Sequence, residues 1–251
     1  MFKLVTATFC LVSASGLAAA QEARPLCADR PGLGTPACTV DPGRTIVELG
    51  GIDWALDQDA AQRSDTLVAG DLLIRHGVTP NLVVQLGWTA FGTVRTRDKM
   101  TGSTSRSSGI GDVTLAARYN LSNPDGSGFS AAIMPYATVP TGGDAIGAGD
   151  WGAGLVLPIS YSLSDTLGIA LTPAIDAAVD SDRNGRHLAY GSVIGFSAAL
   201  SDSVSGAVEV QVTRDEDPEG HTTQALAGLS FGWVTGHRAQ VDAGAVAGVD
   251  A

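Results

Sequence analysis

Val204-Ser205-Gly206-Ala207-Val208-Glu209-Val210-Gln211-Val212-Thr213 alternates two kinds of side chain along its length. Val204, Val208, Val210 and Val212 share one face of an extended chain, and Ser205, Glu209, Gln211 and Thr213 share the other. Period-two alternation marks a strand whose two faces meet different surroundings. The pattern continues downstream. Ala225, Ala227, Leu229, Phe231 and Trp233 oppose Gly228, Ser230 and Gly232, and Val241, Ala243, Ala245, Ala247 and Val249 oppose Asp242, Gly244 and Gly248. Upstream, Val113, Leu115, Ala117 and Tyr119 oppose Asp112, Thr114, Ala116 and Arg118.

Eleven such strands are predicted, over 45–55, 66–76, 81–91, 110–120, 128–138, 152–162, 166–177, 188–200, 204–214, 222–234 and 238–249. The first is ambiguous, because Glu48 and Asp53 fall on opposite faces. The connections alternate in length. Gly77–Pro80, Ser122–Ser127, Ser164–Asp165, Ser201–Ser203 and Thr235–His237 are short. Leu56–Asp65, Gly92–Gly109, Val139–Trp151, Asp180–His187 and Asp215–His221 are longer. Two short turns look like copies, Leu163-Ser164-Asp165-Thr166-Leu167 and Leu200-Ser201-Asp202-Ser203-Val204. Short turns at one end and long loops at the other are the plan of a hairpin barrel threaded through an outer membrane. The expected fold is therefore all-β, an antiparallel transmembrane up-and-down β-barrel. Such barrels carry an even strand number. Eleven strands, with a chain that stops at Ala251 without a terminal aromatic, lead to the expectation of twelve strands in the complete protein and a truncation before the last. A weak strand missed in the count is the alternative.

The start of the chain reads as an export signal. Met1-Phe2-Lys3 precedes an apolar run to about Leu17 and the small-residue site Ala18-Ala19-Ala20, so residues 1–20 are expected to be cleaved. No later run approaches the about 18 apolar residues of a transmembrane helix. Residues 21–44 are expected as a periplasmic N-terminal segment and 45–251 as the barrel. Cys27 and Cys38 remain after cleavage, and an oxidising compartment favours a disulfide between them. Two thiolates without a nearby His fall short of a zinc set. The net charge of −11, with lysine only at Lys3 and Lys99, argues against nucleic acid as a partner.

If the apolar faces meet lipid, the polar faces line the bore. Asp71, Arg75, Asp112, Arg118, Glu209 and Gln211 are the candidate lining residues, and Asp176 and Asp242 also sit on the less apolar faces of their strands. The opposed charges would either set up a transverse field or pair and fill the bore. Trp88, Phe91, Trp151, Tyr161, Phe231 and Trp233 lie near strand ends, where interfacial girdles form.

Other chemistry is weaker. Gly147-x-Gly149-x-x-Gly152 matches a dinucleotide fingerprint, but a strand rather than a helix is predicted after it. Asp180-x-Asp182-x-Asn184-Gly185 matches the front of a calcium loop, with Gly191 where the bidentate Glu should stand. Asp215-Glu216-Asp217-Pro218-Glu219 is an acidic outer loop that could bridge cations to lipopolysaccharide. His76, His187, His221 and His237 form no pair with a serine on one strand. No catalytic residue, metal site or cofactor is expected, and the chain is not read as an enzyme.

Several stretches resemble a known family. Cys27-Ala28-Asp29-Arg30-Pro31 with Cys38-Thr39-Val40, Pro135-Tyr136-Ala137-Thr138-Val139-Pro140-Thr141-Gly142, Leu157-Pro158-Ile159-Ser160-Tyr161 and Asp180-Ser181-Asp182-Arg183-Asn184-Gly185-Arg186-His187 resemble a proteobacterial outer-membrane "transporter" family. That family is related to meta-pathway phenol-degradation barrel proteins. The resemblance implies a barrel moving small, aromatic or hydrophobic compounds and carries over no binding residue. The expected function is passive diffusion of such solutes through the bore. A closed structural or surface-recognition barrel and a soluble exported β protein are the competing readings. Expected partners are outer-membrane lipid and lipopolysaccharide, a small-molecule solute and the machinery that inserts barrels, in a Gram-negative outer membrane.

Overall fold

The structure, a computed structural model, describes residues 6–10, 24–143, 145–236 and 238–249. It contains one antiparallel sheet and, among the described residues, no helix. The strands are β1 (Thr6–Cys10), β2 (Thr45–Gln58), β3 (Gln62–Gly77), β4 (Leu82–Asp98), β5 (Thr104–Gly109), β6 (Val113–Ser122) and β7 (Phe129–Val139). They continue as β8 (Gly152–Val156), β9 (Ile159–Ser162), β10 (Leu167–Val179), β11 (Arg186–Ala199), β12 (Val204–Asp215), β13 (Thr222–Thr235) and β14 (Ala239–Gly248).

Apart from β5–β6 and β8–β9, neighbours in sequence pair, which makes the sheet up-and-down. β5 and β6 pair with successive parts of β4 and share one position. β8 and β9 share another, between β7 and β10. The β10–β11 ladder and the two pairings of β1, with β14 and β2, complete a ring of twelve positions. The fold is an up-and-down β-barrel. The export signal expected over 1–20 lies outside the described residues except for Thr6–Cys10, whose backbone occupies the twelfth position. His237 also lies outside them.

Two predicted boundaries change. The long loop expected over 92–109 is largely a hairpin in which β4 continues to Asp98 and pairs with β5. Its residues, Thr104-Ser105-Arg106-Ser107-Ser108, are polar on both faces, so the ladder leaves no apolar period to read. The strand expected over 152–162 is broken at Leu157-Pro158. Proline has no N–H for the ladder, and the break is bridged by Leu157 N–H to Pro173 O (2.9 Å) and Ala132 N–H to Pro158 O (2.8 Å).

The ambiguity in the first predicted strand is also resolved. Leu49 and Ile52 are both exposed, so the in–out alternation changes phase between them. The change falls opposite Gly70, whose φ of 68° lies in the left-handed region, and both flanking ladders skip that level. Glu48 and Asp53 then fall on one face.

The wall is apolar outside and polar inside. Val208 is 57 % exposed and Ile194 54 %, whereas Glu48, Arg75 and Arg118 are 0 % exposed. This inverts the order of a water-soluble domain, in which charged side chains are almost never fully buried unless paired. Tight approach within the wall depends on small residues. At Gly77 a Cβ would run into the backbone of Asp41 and Val40, where Gly43 N–H donates to Gly77 O (2.8 Å) and Gly77 N–H to Arg44 O (3.0 Å). Gly77→Ala is expected to lower stability by about 1–3 kcal/mol through overpacking, read as a lower thermal midpoint in detergent.

Candidate functional site

The bore is occupied by the chain's own N-terminal segment. Residues 21–44, expected on the periplasmic side, are described from Arg24 and reach into the barrel as a loop closed by a Cys27–Cys38 disulfide. The loop has no regular structure of its own, so its backbone groups must find partners on the wall.

One side of the loop meets β2, β3 and β6. Asp29 Oδ1 lies 2.8 Å from Arg75 Nη1, and its other oxygen accepts from Arg118 Nη2. Arg75 also donates to Glu48 and to the carbonyl of Cys27. Glu48 in turn accepts the backbone N–H groups of Asp29 (3.1 Å) and Arg30 (3.0 Å). Arg118 Nη1 reaches Cys38 O (3.2 Å), and Asn120 Nδ2 reaches Ala37 O (2.9 Å). Arg30 Nη2 pairs with Asp71 Oδ2 at 2.7 Å, and Thr89 holds the other Asp71 oxygen at 3.1 Å.

The tip of the loop meets β10 and β12, far around the ring. Glu209 accepts Leu33 N–H (2.6 Å) and Gly34 N–H (3.0 Å), one on each oxygen. Thr172 exchanges two bonds of 3.2 Å with the backbone of Thr35. A Cβ at Gly32 would stand 2.8 Å from Glu209 Oε2, so a side chain there would push the carboxylate aside. At the root, Thr39 N–H donates to Pro124 O (2.8 Å) and its hydroxyl to Pro80 O (2.8 Å), while Arg24 pairs with Asp41 at 3.3 Å. The segment is therefore a plug laid across the bore and pinned on both sides.

Burial by itself would raise the Asp29 carboxyl, but the guanidinium groups of Arg118 and Arg75 outweigh it and hold the pKa below the usual carboxylate range. Glu48, Arg75 and Arg118, all fully buried, are each paired within this cluster, as buried ionisable side chains must be.

Of the six candidate lining residues, Asp71, Arg75, Arg118 and Glu209 converge on the plug. Gln211 sits on the same face as Glu209, level with buried Val193 and Leu226. Asp112 does different work. It stands just before β6 and accepts Gly142 N–H (2.8 Å) and Ala148 N–H (2.7 Å), fastening the loop between β7 and β8. That loop contains Gly147 and Gly149, and Gly152 opens a strand, not a helix. In the stretch that partly matches a calcium loop, Asp182 Oδ1 accepts Asn184 N–H at 2.8 Å and Asp180 Oδ1 lies 2.9 Å from His187 Nδ1. His187 Nε2 lies 2.9 Å from Asp215 Oδ1, and Asp217 accepts from Ser181, so this cluster ties two loops together at one rim.

The residues of this contact that the sequence reading overlooked include Glu48, Asn120 and Thr172 on the wall and Asp29 on the plug. Glu48 left one trace, a charge on a strand whose faces could not be assigned.

Fold and site together define a plugged β-barrel. The family described as "Putative MetA-pathway of phenol degradation" matches residues 28–251, and the chain belongs to it. The matched region includes most of the plug as well as the wall. No curated protein matches the chain.

Asp29→Ala removes the counter-charge of two buried guanidinium groups and is expected to destabilise the protein by about 3–5 kcal/mol, measured by urea unfolding in detergent. Because the folded pKa of Asp29 is lowered, its contribution is complete above the ordinary value of 3.8 and is lost as pH falls through the lowered value. Limited proteolysis with an acid-active protease is expected to spare residues 26–38 at neutral pH and to cut there only once pH has fallen through the lowered Asp29 value.

Proposed function

We propose that the protein is an outer-membrane barrel of a Gram-negative bacterium that passes small aromatic or hydrophobic compounds by passive diffusion, with residues 24–44 as the gate. The observation that carries this reading is the inverted wall. Its outward face exposes Val208, Val210, Val212, Leu229 and Trp233, and lipid is the solvent that suits such a surface. Membership of a family described by phenol degradation supports small aromatic solutes. A strand-built wall suits insertion by the barrel-assembly machinery into a lipopolysaccharide-bearing membrane.

A second reading has its own observation. The plug is fixed by paired, buried charges, and this favours a closed barrel with a structural or recognition role. Liposome swelling separates the two. Protein inserted in liposomes is expected to admit phenol-sized neutral solutes, and the Cys27→Ser/Cys38→Ser variant to admit them several-fold faster. The disulfide contributes on the order of 3 kcal/mol to holding the loop. If the inserted wild type and variant are both impermeable, the closed barrel is correct.

The membrane assignment has a separate test. Val210→Arg is expected to cost about 2–4 kcal/mol in a bilayer if the residue faces mid-membrane lipid. Gln211→Arg, on the bore side, is expected to cost less. Equal effects in refolding titrations would count against a lipid-facing wall.

A further inference from the structure

Four exposed arginines, Arg63, Arg95, Arg97 and Arg106, lie together on β3, β4 and β5. Phe91 is exposed and Gly92 buried, and a Cβ at Gly92 would run into Ile146 of the loop between β7 and β8. Alternation from Phe91 therefore puts Thr93, Arg95 and Arg97 on the outer face of β4. The ladders carry that face to its neighbours. Arg63 is level with Arg97, Asp65 with Arg95, and Arg95 with Arg106. Two arginine pairs thus stand directly opposite across a ladder, an arrangement that is destabilising by itself.

The acidic groups nearby do not relieve it. Asp65, on the same face, gives both oxygens to Arg63, at 2.9 Å each. Asp59 accepts the N–H groups of Ala61 and Gln62, and Asp98 those of Met100 and Thr101. Trp54, Leu56 and Gln58 of β2, level with Leu67, Asp65 and Arg63, bring no charge. Arg106 Nε is held by Thr93 Oγ1 at 3.1 Å. Among the described residues, Arg95 and Arg97 have no hydrogen-bond or ion-pair partner.

The height of the patch is also defined. Below it, β4 presents Leu82, Val84, Leu86, Trp88 and Phe91 outward. That stretch spans about 30 Å at about 3.3 Å per residue, which a strand tilt of about 40° brings close to an apolar band of about 25 Å. Arg95 and Arg97 follow directly, at the level of the lipid headgroups. They stand on the rim of the longer loops, which face the cell exterior in such barrels.

We infer that Arg63, Arg95, Arg97 and Arg106 form a binding site for the phosphates of a phosphorylated glycolipid of the outer leaflet, lipopolysaccharide. The guanidinium fork takes phosphate oxygens in paired bonds, and a phosphate supplies the counter-charge that the opposed arginines lack. Acyl chains of the same molecule have the apolar surface below, at Phe91 and Trp88, to lie against. This rests on the membrane reading above and names where the wall holds a lipid.

The test is binding of purified lipopolysaccharide to the full chain in detergent, read by native mass spectrometry and by the rise in thermal midpoint. EDTA is present, so that no divalent cation bridges the lipid to the acidic loop at Asp215–Glu219. Arg95→Gln/Arg97→Gln is expected to weaken binding by about ten-fold or more. Arg214→Gln, at an arginine already paired with Glu216 at 2.8 Å, is expected to leave it unchanged. Dephosphorylated lipopolysaccharide is expected to bind the wild type no better than the intact lipid binds the double variant. Without lipid, the double variant is expected to be no less stable than the wild type, because it removes repulsion. Equal binding by wild type and double variant, or of lipid with and without its phosphates, overturns the inference. A double variant destabilised without lipid overturns it as well, by making the arginines structural. Inorganic phosphate binding as tightly as the lipid would assign the patch to a free anion and overturn the lipid. A chain that inserts into liposomes but ignores lipopolysaccharide loses this site alone, whereas a chain that does not insert loses the membrane reading and the site with it.

Discussion

Every backbone N–H and C=O of a sheet surrounded by lipid must be paired inside the sheet, because no water is there to take its place. The ring of ladders from β1 through β14 and back meets that demand. Its consequence falls on the side chains. A closed wall with its apolar residues outside sends its charged ones inward. Arg75 and Arg118 cannot stand there alone. The carboxylates of Asp29 and Glu48 make their burial tolerable, and Asp29 belongs to the plug. Closure of the wall and occupation of the bore are thus one problem with one solution.

The wall was legible in the sequence because its outer environment is uniform. Val208, Val210 and Val212 repeat at period two since each meets the same surroundings, and the turns at Ser164-Asp165 and Ser201–Ser203 punctuate them plainly. Legibility failed where that environment ends. The hairpin of β4 and β5 extends beyond the apolar band, so Thr104–Gly109 shows no alternation and reads as loop. Pro158 hid a break inside an otherwise regular strand. The phase change at Gly51 and Gly70 is a backbone event that residue types only hint at.

The bore was half legible. Charges such as Arg75, Arg118 and Glu209 announced themselves by interrupting apolar faces, but nothing in their spacing says what they meet. Their partners lie in a segment without periodicity, and the pairing of Leu33 with Glu209 spans 176 residues. Of the two expectations for the charged bore, a transverse field or a filled space, the plug's contacts bear on the second. On β3 and β6 the charges pair and fill.

The plug touches both β3 and β12, and this gives it a metric role. Its reach from Asp29 to Gly34 is a fixed length of chain laid across the barrel, so it is a gauge of the circumference. A wall with one hairpin more or fewer would carry Glu209 out of range of Leu33 and Gly34 and leave those N–H groups bare.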